Sequence, residues 1–237
     1  MQRPLLLGHR GARASRHVPE NTLASFELCL EHGCDGFEFD VRRSEDGQAV
    51  VCHDASWRGK KIAATWAKDL GLPTLEGVLQ QFSSRAFLDI ELKVAGLEAQ
   101  TLAALRGFPP KKGYVVSSFL TDVLKALHDL DSNIQLGLLC EKRSQLAMES
   151  RASRPAKPRP AGRAGTPVAP SDLLLTWVIP RMDLVDPALI EHLHSVGRRV
   201  MVWTVNGADA MRRLAEWGVD AIISDETELA AQIKLVP

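Results

Sequence analysis

The chain has no apolar run near the roughly 18 residues that a membrane span requires, so no transmembrane segment is expected. It also lacks a readable secretory signal. Three leucines, Leu5 to Leu7, give way at once to Gly8, His9 and Arg10, where a signal peptide carries roughly 7–15 apolar residues. A cytoplasmic location is the expectation. Cysteine is scarce. Cys29, Cys34, Cys52 and Cys140 lack the C-x-x-C spacing of zinc and redox motifs, and read as free thiols in or near a core. Net charge is missing as well: Lys+Arg and Asp+Glu stand at 29 each. That balance gives no electrostatic reason to expect nucleic acid or an anionic membrane as a partner. No G-x-G-x-x-G follows the first apolar run, which leaves dinucleotide binding without support.

What is present is an ordinary globular composition. Over 237 residues, 45% are hydrophobic and 24% charged, enough for one domain with a sizeable core. Short apolar runs alternate with helical patterns. Strands are expected at Leu5–Leu7, Asp35–Val41, Gln48–Cys52, Ala86–Val94, Tyr114–Ser117, Ile134–Leu139, Leu173–Val178, Arg199–Thr204 and Ala221–Ser224. Helices are expected at Asn21–His32, Thr74–Phe82 with Thr74 as N-cap, Leu97–Arg106, Thr121–Leu130, Glu141–Arg151, Pro187–Val196, Ala208–Trp217 and Glu226–Leu235. Repeated strand-then-helix order implies a parallel sheet with crossover helices. About eight such units suit a closed (β/α)₈ barrel. A doubly wound open sheet fits the same alternation.

One segment breaks the order. Residues Arg151–Pro170 hold five prolines, five basic residues and no acid. Proline at this density excludes a helix or a central strand. The segment reads as a long basic loop, either solvated or available to grip an anionic substrate or partner.

Four clusters carry chemistry: His9-Arg10-Gly11, Glu38-Phe39-Asp40, His53-Asp54 and Glu91-Leu92-Lys93. Each falls at or just past the C-terminal end of a predicted strand, the end that holds the active site of a (β/α)₈ barrel. The strand period of two puts Glu38 and Asp40 on one side, and Phe37, Phe39 and Val41 on the other. The apolar set suits burial under helices, so the carboxylates face the barrel axis. Asp89, Glu91 and Lys93 repeat the pattern, with Ile90 and Leu92 opposite. Buried carboxylates need a cation or strong hydrogen bonds, and a group of them suits a hard divalent ion such as Mg²⁺ or Ca²⁺. Ion pairs lining the barrel are the alternative, but several acids converge there with one lysine. His9 and His53 add imidazoles able to accept and donate protons near neutral pH. Arg10 and Lys93 add positive charge for phosphoryl oxygens. The other histidines, His17, His32, His128, His192 and His194, have no such surroundings.

These residues resemble glycerophosphodiester phosphodiesterases. That family shows H-R-G, P-E-N-T, E-x-D and H-D in order, then P-T-L-E, E-L-K and W-T-V-N. Here they stand as His9-Arg10-Gly11, Pro19-Glu20-Asn21-Thr22, Glu38-Phe39-Asp40, His53-Asp54, Pro73-Thr74-Leu75-Glu76, Glu91-Leu92-Lys93 and Trp203-Thr204-Val205-Asn206. Gly218 to Asp225 is similar to the family's last strand. The resemblance runs from about Leu5 to Asp225, and its specificity lies in the joint order of the motifs. It implies a single-domain (β/α)₈ TIM barrel over residues 1–237. It also implies hydrolysis of a small glycerophosphodiester to an alcohol and glycerol 3-phosphate. By the same resemblance Glu38, Asp40 and Glu91 hold one divalent cation, Mg²⁺ or Ca²⁺. His9 and His53 form the acid/base pair, and Arg10 and Lys93 meet the phosphate. Glu20 lies near the metal or supports His9, Asn21 caps the first helix as well as lining the site, and Trp203 contacts the organic part of the substrate.

Two departures from the family affect substrate size. Only about twenty residues separate Asp54 from Thr74, a shorter lid than many members carry, although Arg58, Lys60 and Lys61 there could meet phosphate. The basic 151–170 segment is not a family hallmark. A lysophospholipase D-like activity on lysophospholipids is the competing enzyme reading. A non-catalytic phosphate- or metal-binding module would lack one of the acids, bases or cations, and none is missing.

Overall fold

The computed structural model describes residues 3–150 and 175–233. Its elements run in chain order as β1 (Leu5–Gly8), α1 (Leu23–Glu31), β2 (Gly36–Arg43), β3 (Ala49–Val51), β4 (Ser56–Trp57), β5 (Lys60–Lys61), α2 (Ala67–Leu70) and α3 (Leu75–Phe82). There follow β6 (Phe87–Leu92), α4 (Glu98–Gly107), β7 (Tyr114–Ser118), α5 (Thr121–Leu130), β8 (Leu136–Cys140) and α6 (Arg143–Ser150). The chain resumes with β9 (Trp177–Pro180), α7 (Pro187–Ser195), β10 (Arg199–Val202), α8 (Ala208–Glu216), β11 (Ala221–Ser224) and α9 (Thr227–Gln232). Parallel pairing runs β1-β2-β6-β7-β8-β9-β10-β11 and returns from β11 to β1, closing an eight-stranded barrel. The closed ring settles the choice between barrel and open sheet. β3 lies outside the ring, antiparallel to the far end of β2, and β4–β5 is a separate hairpin.

Two apolar layers hold the barrel. Residues pointing outward from the strands pack under the helices, where Phe26, Phe37, Phe39 and Phe82 form one aromatic cluster. Phe26 of α1 stacks on Phe37 of β2 with centroids 4.2 Å apart, and Phe82 of α3 meets Phe37 edge-on at 5.1 Å. Such pairs add about 0.5–1.5 kcal/mol each beyond their area. Residues pointing inward fill the barrel itself: Leu7, Phe87, Val115, Leu139, Trp177, Ile179, Met201, Ala221 and Ile223. The interior is thus a packed plug, and the site must sit above it.

Most element ends fall within one or two residues of the sequence reading, and β4, β5 and α2 are additions to it; two differences are larger or bear on the site. Of the strand expected at Leu173–Val178, residues 173–174 lie outside the described residues, and among the described ones the strand is β9, Trp177–Pro180. An apolar run has no phase of its own; pairing of Gly137 with Trp177 and Val200 with Val178 sets the register. Helix α1 starts at Leu23, with Thr22 as its N-cap accepting from the Ser25 N–H, so Asn21 does not cap it. Thr74 caps α3 as expected, accepting from the Gly77 N–H. The basic segment at 151–170 lies outside the described residues.

Candidate active site

Strand register brings the acids together. β2 and β6 pair in parallel with Glu38 beside Asp89 and Asp40 beside Glu91. Because neighbours in register point the same way, all four carboxylates enter the barrel, and all four are buried. Glu38, Asp40 and Glu91 each offer an oxygen within 4.8 Å of the others. Asp89 lies deeper and accepts from the Ser117 hydroxyl at 2.6 Å.

The countercharges are fewer. Lys93 Nζ bridges Glu91 at 2.8 Å and Asp40 at 3.2 Å. Arg10 Nε lies 3.4 Å from Asp40, while the same guanidinium donates to Glu20 at 2.8 Å. Asn21 Nδ2 donates to Asp40 at 2.8 Å. Burial pushes the Asp40 carboxyl up, but Lys93, Asn21 and Arg10 outweigh it and hold the group below the usual carboxylate range. Glu38 has no such help. Burial, then the charges of Asp40, Glu91 and Asp89, drives it well above its ordinary value. Burial likewise takes Asp89 and Glu91 up to about 7. Glu38 Oε1 is buried with no hydrogen-bond partner. Converging carboxylate oxygens, an unpartnered one among them and too little positive charge nearby fit a divalent cation with oxygen ligands.

The first loop is shaped to serve this cluster. Arg10 and Asn21 both adopt left-handed backbone, φ 53° and 57°, which is uncommon for residues with a side chain and concentrates at functional sites. Cross-bonds fix them there: the Asn21 N–H donates to Arg10 O and the Ser25 hydroxyl does the same, each at 3.0 Å. Gly11 between them has φ 80° and sits so close to α1 that a Cβ would lie 2.4 Å from Ser25 Oγ. The result aims the Arg10 N–H at Glu38 Oε2, 3.0 Å away.

Both histidines line one pocket of about 310 Å³ with Arg10, Glu38, Asp89, Glu91 and Lys93. His9 Nδ1 lies 2.7 Å from Asp225 Oδ1, and its Nε2 lies 3.9 Å from Glu38 Oε2. Asp225 is held well below the usual carboxylate range, since His9 and Asn206 outweigh the cost of its burial. An ionised carboxylate only accepts, so the His9 Nδ1 carries the hydrogen and Nε2 is left for chemistry. His53 Nδ1 donates likewise to Asp54 at 2.8 Å. The other pocket wall is apolar, made by Phe119, Leu139, Trp203 and Ile223. Trp203 gives its indole N–H to Ile179 O at 2.9 Å, so only its ring faces the pocket.

A family model described as the glycerophosphoryl diester phosphodiesterase family matches residues 9–106 and 106–229. The chain belongs to that family. Its fold and its class, a phosphoric diester hydrolase on a (β/α)₈ barrel, follow. A glycerophosphodiester phosphodiesterase of Caldanaerobacter subterraneus subsp. tengcongensis is 28% identical, over 94% of this chain and 95% of the relative. One from Bacillus subtilis is 27% identical, over 98% and 87%. Among solved structures, the Thermotoga maritima glycerophosphodiester phosphodiesterase superposes with a TM-score of 0.79 at 24% identity, covering 99% of this chain and 100% of that one. A phosphodiesterase of Oleispira antarctica, in complex with the product sn-glycerol-3-phosphate, gives 0.74 at 23% identity, over 96% and 95%.

In this member of the phosphodiesterase family the residues singled out from sequence converge, with three differences. Glu20 is not in the acidic cluster and does not touch His9; it pairs with Arg10 and with Arg13 at 2.8 Å each. Asn21 orients Asp40. Arg58, Lys60 and Lys61 stand off the pocket on the β4–β5 hairpin, where Arg58 covers the Trp57 ring at 5.3 Å and Lys60 donates to Asp69 O. Sequence reasoning missed Asp225, Asn206 and Ser117 as supports, and Phe119 and Glu141 as pocket walls. Asp225 directly follows the last strand, so the mouth-end rule that selected His9 applied equally to it.

Proposed function

We propose that residues 1–237 form one catalytic unit. It hydrolyses glycerophosphodiesters to an alcohol and glycerol 3-phosphate, with Glu38, Asp40 and Glu91 holding one Mg²⁺ or Ca²⁺ and His9 and His53 moving the protons. The observation that carries this reading is the joint geometry of acids and imidazoles. Three carboxylate oxygens meet within 4.8 Å, and each flanking imidazole has Nδ1 tied to a carboxylate. Family membership and the product found in the Oleispira antarctica relative support the same substrate and product.

A cation held there supplies Lewis-acid polarisation of the phosphoryl group and a more acidic attacking hydroxyl. The chain's own groups do the rest. Asp225 keeps the His9 hydrogen on Nδ1, so Nε2 can take a proton from the nucleophile or return one to the leaving oxygen. His53, held by Asp54 and by Arg42 donating to its backbone oxygen at 2.8 Å, takes the complementary role. Arg10 and Lys93 line the pocket and offset charge on pentacoordinate phosphorus. The nucleophile is water, or the glycerol 2-hydroxyl by way of a cyclic phosphate that water then opens.

A pocket of about 310 Å³ suits a small diester better than a lysophospholipid with its acyl chain. The test is a coupled assay for released choline, the product common to both substrates, with glycerophosphocholine and lysophosphatidylcholine, before and after chelation. Turnover of the first, lost on chelation and restored by Mg²⁺ or Ca²⁺, is expected. Full turnover after exhaustive chelation, or turnover of the lysolipid alone, would overturn the reading.

A further inference from the structure

The pocket has two unlike sides. Its charged side comes from β1, β2, β3 and β6 and the residues following them; its other side comes from β7, β8, β10 and β11 and the residues following them, and offers rings and aliphatic chains. One acid stands among the latter. Glu141 directly follows β8 and lines the pocket. In the ring of eight, β8 lies four strands from β1 in either direction, so Glu141 faces His9 across the barrel mouth, away from the acidic cluster.

Among the described residues nothing neutralises Glu141 well. Arg181 Nη1 is 3.9 Å from it, but that guanidinium already makes two bonds to Asp183, at 2.6 and 2.8 Å. The carboxylate is half exposed and its backbone is fixed: the N–H groups of Glu141 and Lys142 both donate to Gln145 Oε1, at 2.8 and 2.9 Å. Beside it stands an aromatic wall. Phe119 and Trp203 meet edge to face with centroids 5.6 Å apart. Lys93 Nζ, 5.9 Å from the Phe119 centroid, marks the phosphate edge of that wall. Arg181 joins the other end, since its backbone bridges to Trp203 and its N–H donates to Cys140 O, one residue before Glu141.

The wall offers little to a polyol. Phe119, Leu139 and Ile223 have no polar side-chain atoms, and the Trp203 N–H is committed to Ile179 O. Hydroxyls desolvated against it would lose hydrogen bonds. Aromatic faces with one unneutralised carboxylate instead attract an organic cation. We propose that Glu141, with Phe119 and Trp203, selects diesters whose alcohol carries an ammonium or quaternary ammonium group. The proposal rests on the hydrolase reading above and adds the class of leaving alcohol.

The test compares kcat/KM for glycerophosphocholine with that for the glycerol 3-phosphate ester of 3,3-dimethylbutanol, the uncharged carbon isostere of choline. Glycerophosphoethanolamine and glycerophosphoglycerol are run alongside. A single partly exposed charge a few ångströms away supports a preference of roughly five- to tenfold for the choline ester over its isostere. In Glu141→Gln that ratio falls towards one, mainly through KM, and the ethanolamine-to-glycerol ratio falls with it. In Glu141→Lys both ratios fall below one. Ratios unmoved by either substitution overturn the proposal, including the case in which Tm drops and the carboxylate merely serves the start of α6. A wild-type protein idle on every diester ends the hydrolase reading and this proposal together; an active one with unmoved ratios ends this proposal alone.

Discussion

His9 Nδ1 and Asp225 Oδ1 lie 2.7 Å apart, and Asp225 is itself gripped by Arg13 Nη1 at 3.0 Å and Asn206 Nδ2 at 2.8 Å. The two donors on Asp225 matter for its replacement. His9 and Arg13 share Oδ1 while Asn206 donates to Oδ2, so an asparagine that gives its oxygen to Asn206 turns its amide towards His9 and moves the ring hydrogen to Nε2. In Asp225→Asn, kcat is therefore expected to fall about 10²- to 10⁴-fold, as loss of the correct tautomer does elsewhere, with binding of the divalent cation nearly unchanged. Steady-state kinetics and calorimetric cation titration check this. Wild-type kcat in the variant would remove Asp225 from the site.

The same carboxylate sets part of the acid stability. Its pKa is depressed in the folded protein against about 3.9 unfolded. The folded state thus binds fewer protons, and the stabilisation is present above about pH 4 and lost as pH falls below it. The stability difference between wild type and Asp225→Asn in urea should be constant from pH 5 to 7 and shrink from pH 4 to 3. A gap that widens on acidification would contradict this.

Glu38, Asp40, Asp89 and Glu91 share one buried space with too few cations. A divalent ion that binds the folded chain and not the unfolded one stabilises it by about 2.7 kcal/mol at a hundredfold excess over Kd. Tm should rise with Mg²⁺ or Ca²⁺, and the rise should vanish in Glu38→Gln. An equal rise in that variant would place the ion elsewhere.

Asn21 does two things that substitution can separate. Its side chain orients Asp40, and its backbone holds a left-handed φ of 57°. Asn21→Gly keeps the backbone and loses the amide; cation affinity is expected to drop roughly 10- to 100-fold with a small change in Tm. Asn21→Ala adds about 1 kcal/mol of strain to the same affinity loss. Equal stabilities of the two variants would remove the strain argument.

Phe37 is fully buried against Phe26, Phe39 and Phe82. Phe37→Ala is expected to cost about 3–5 kcal/mol, measured by urea unfolding. Loss under 1 kcal/mol would mean that the helix layer does not anchor β2.

Much of this was legible in the sequence. The alternation of Phe37, Phe39 and Val41 with Glu38 and Asp40 fixes which side of β2 faces the axis, because the strand period is two whatever the fold. Thr74 before Leu75 predicts its cap for an equally local reason. The strand that includes Trp177 and Val178 slips because its surrounding run, broken only by Thr176, has no alternation to read, and its register comes from neighbouring strands. The supports of the histidines split the same way. Asp54 is adjacent to His53, while Asp225 is 216 residues from His9 and reaches it only because β11 returns to pair with β1.

The sequence by itself determined the strands, their two faces and the acids and imidazoles at their ends, since these depend on side-chain chemistry and backbone period. Tertiary structure alone decided that the sheet closes, that Asp40 and Glu91 fall in register, and that Glu141 stands opposite His9. Those relations depend on hydrogen bonding between strands distant along the chain, which no local pattern encodes.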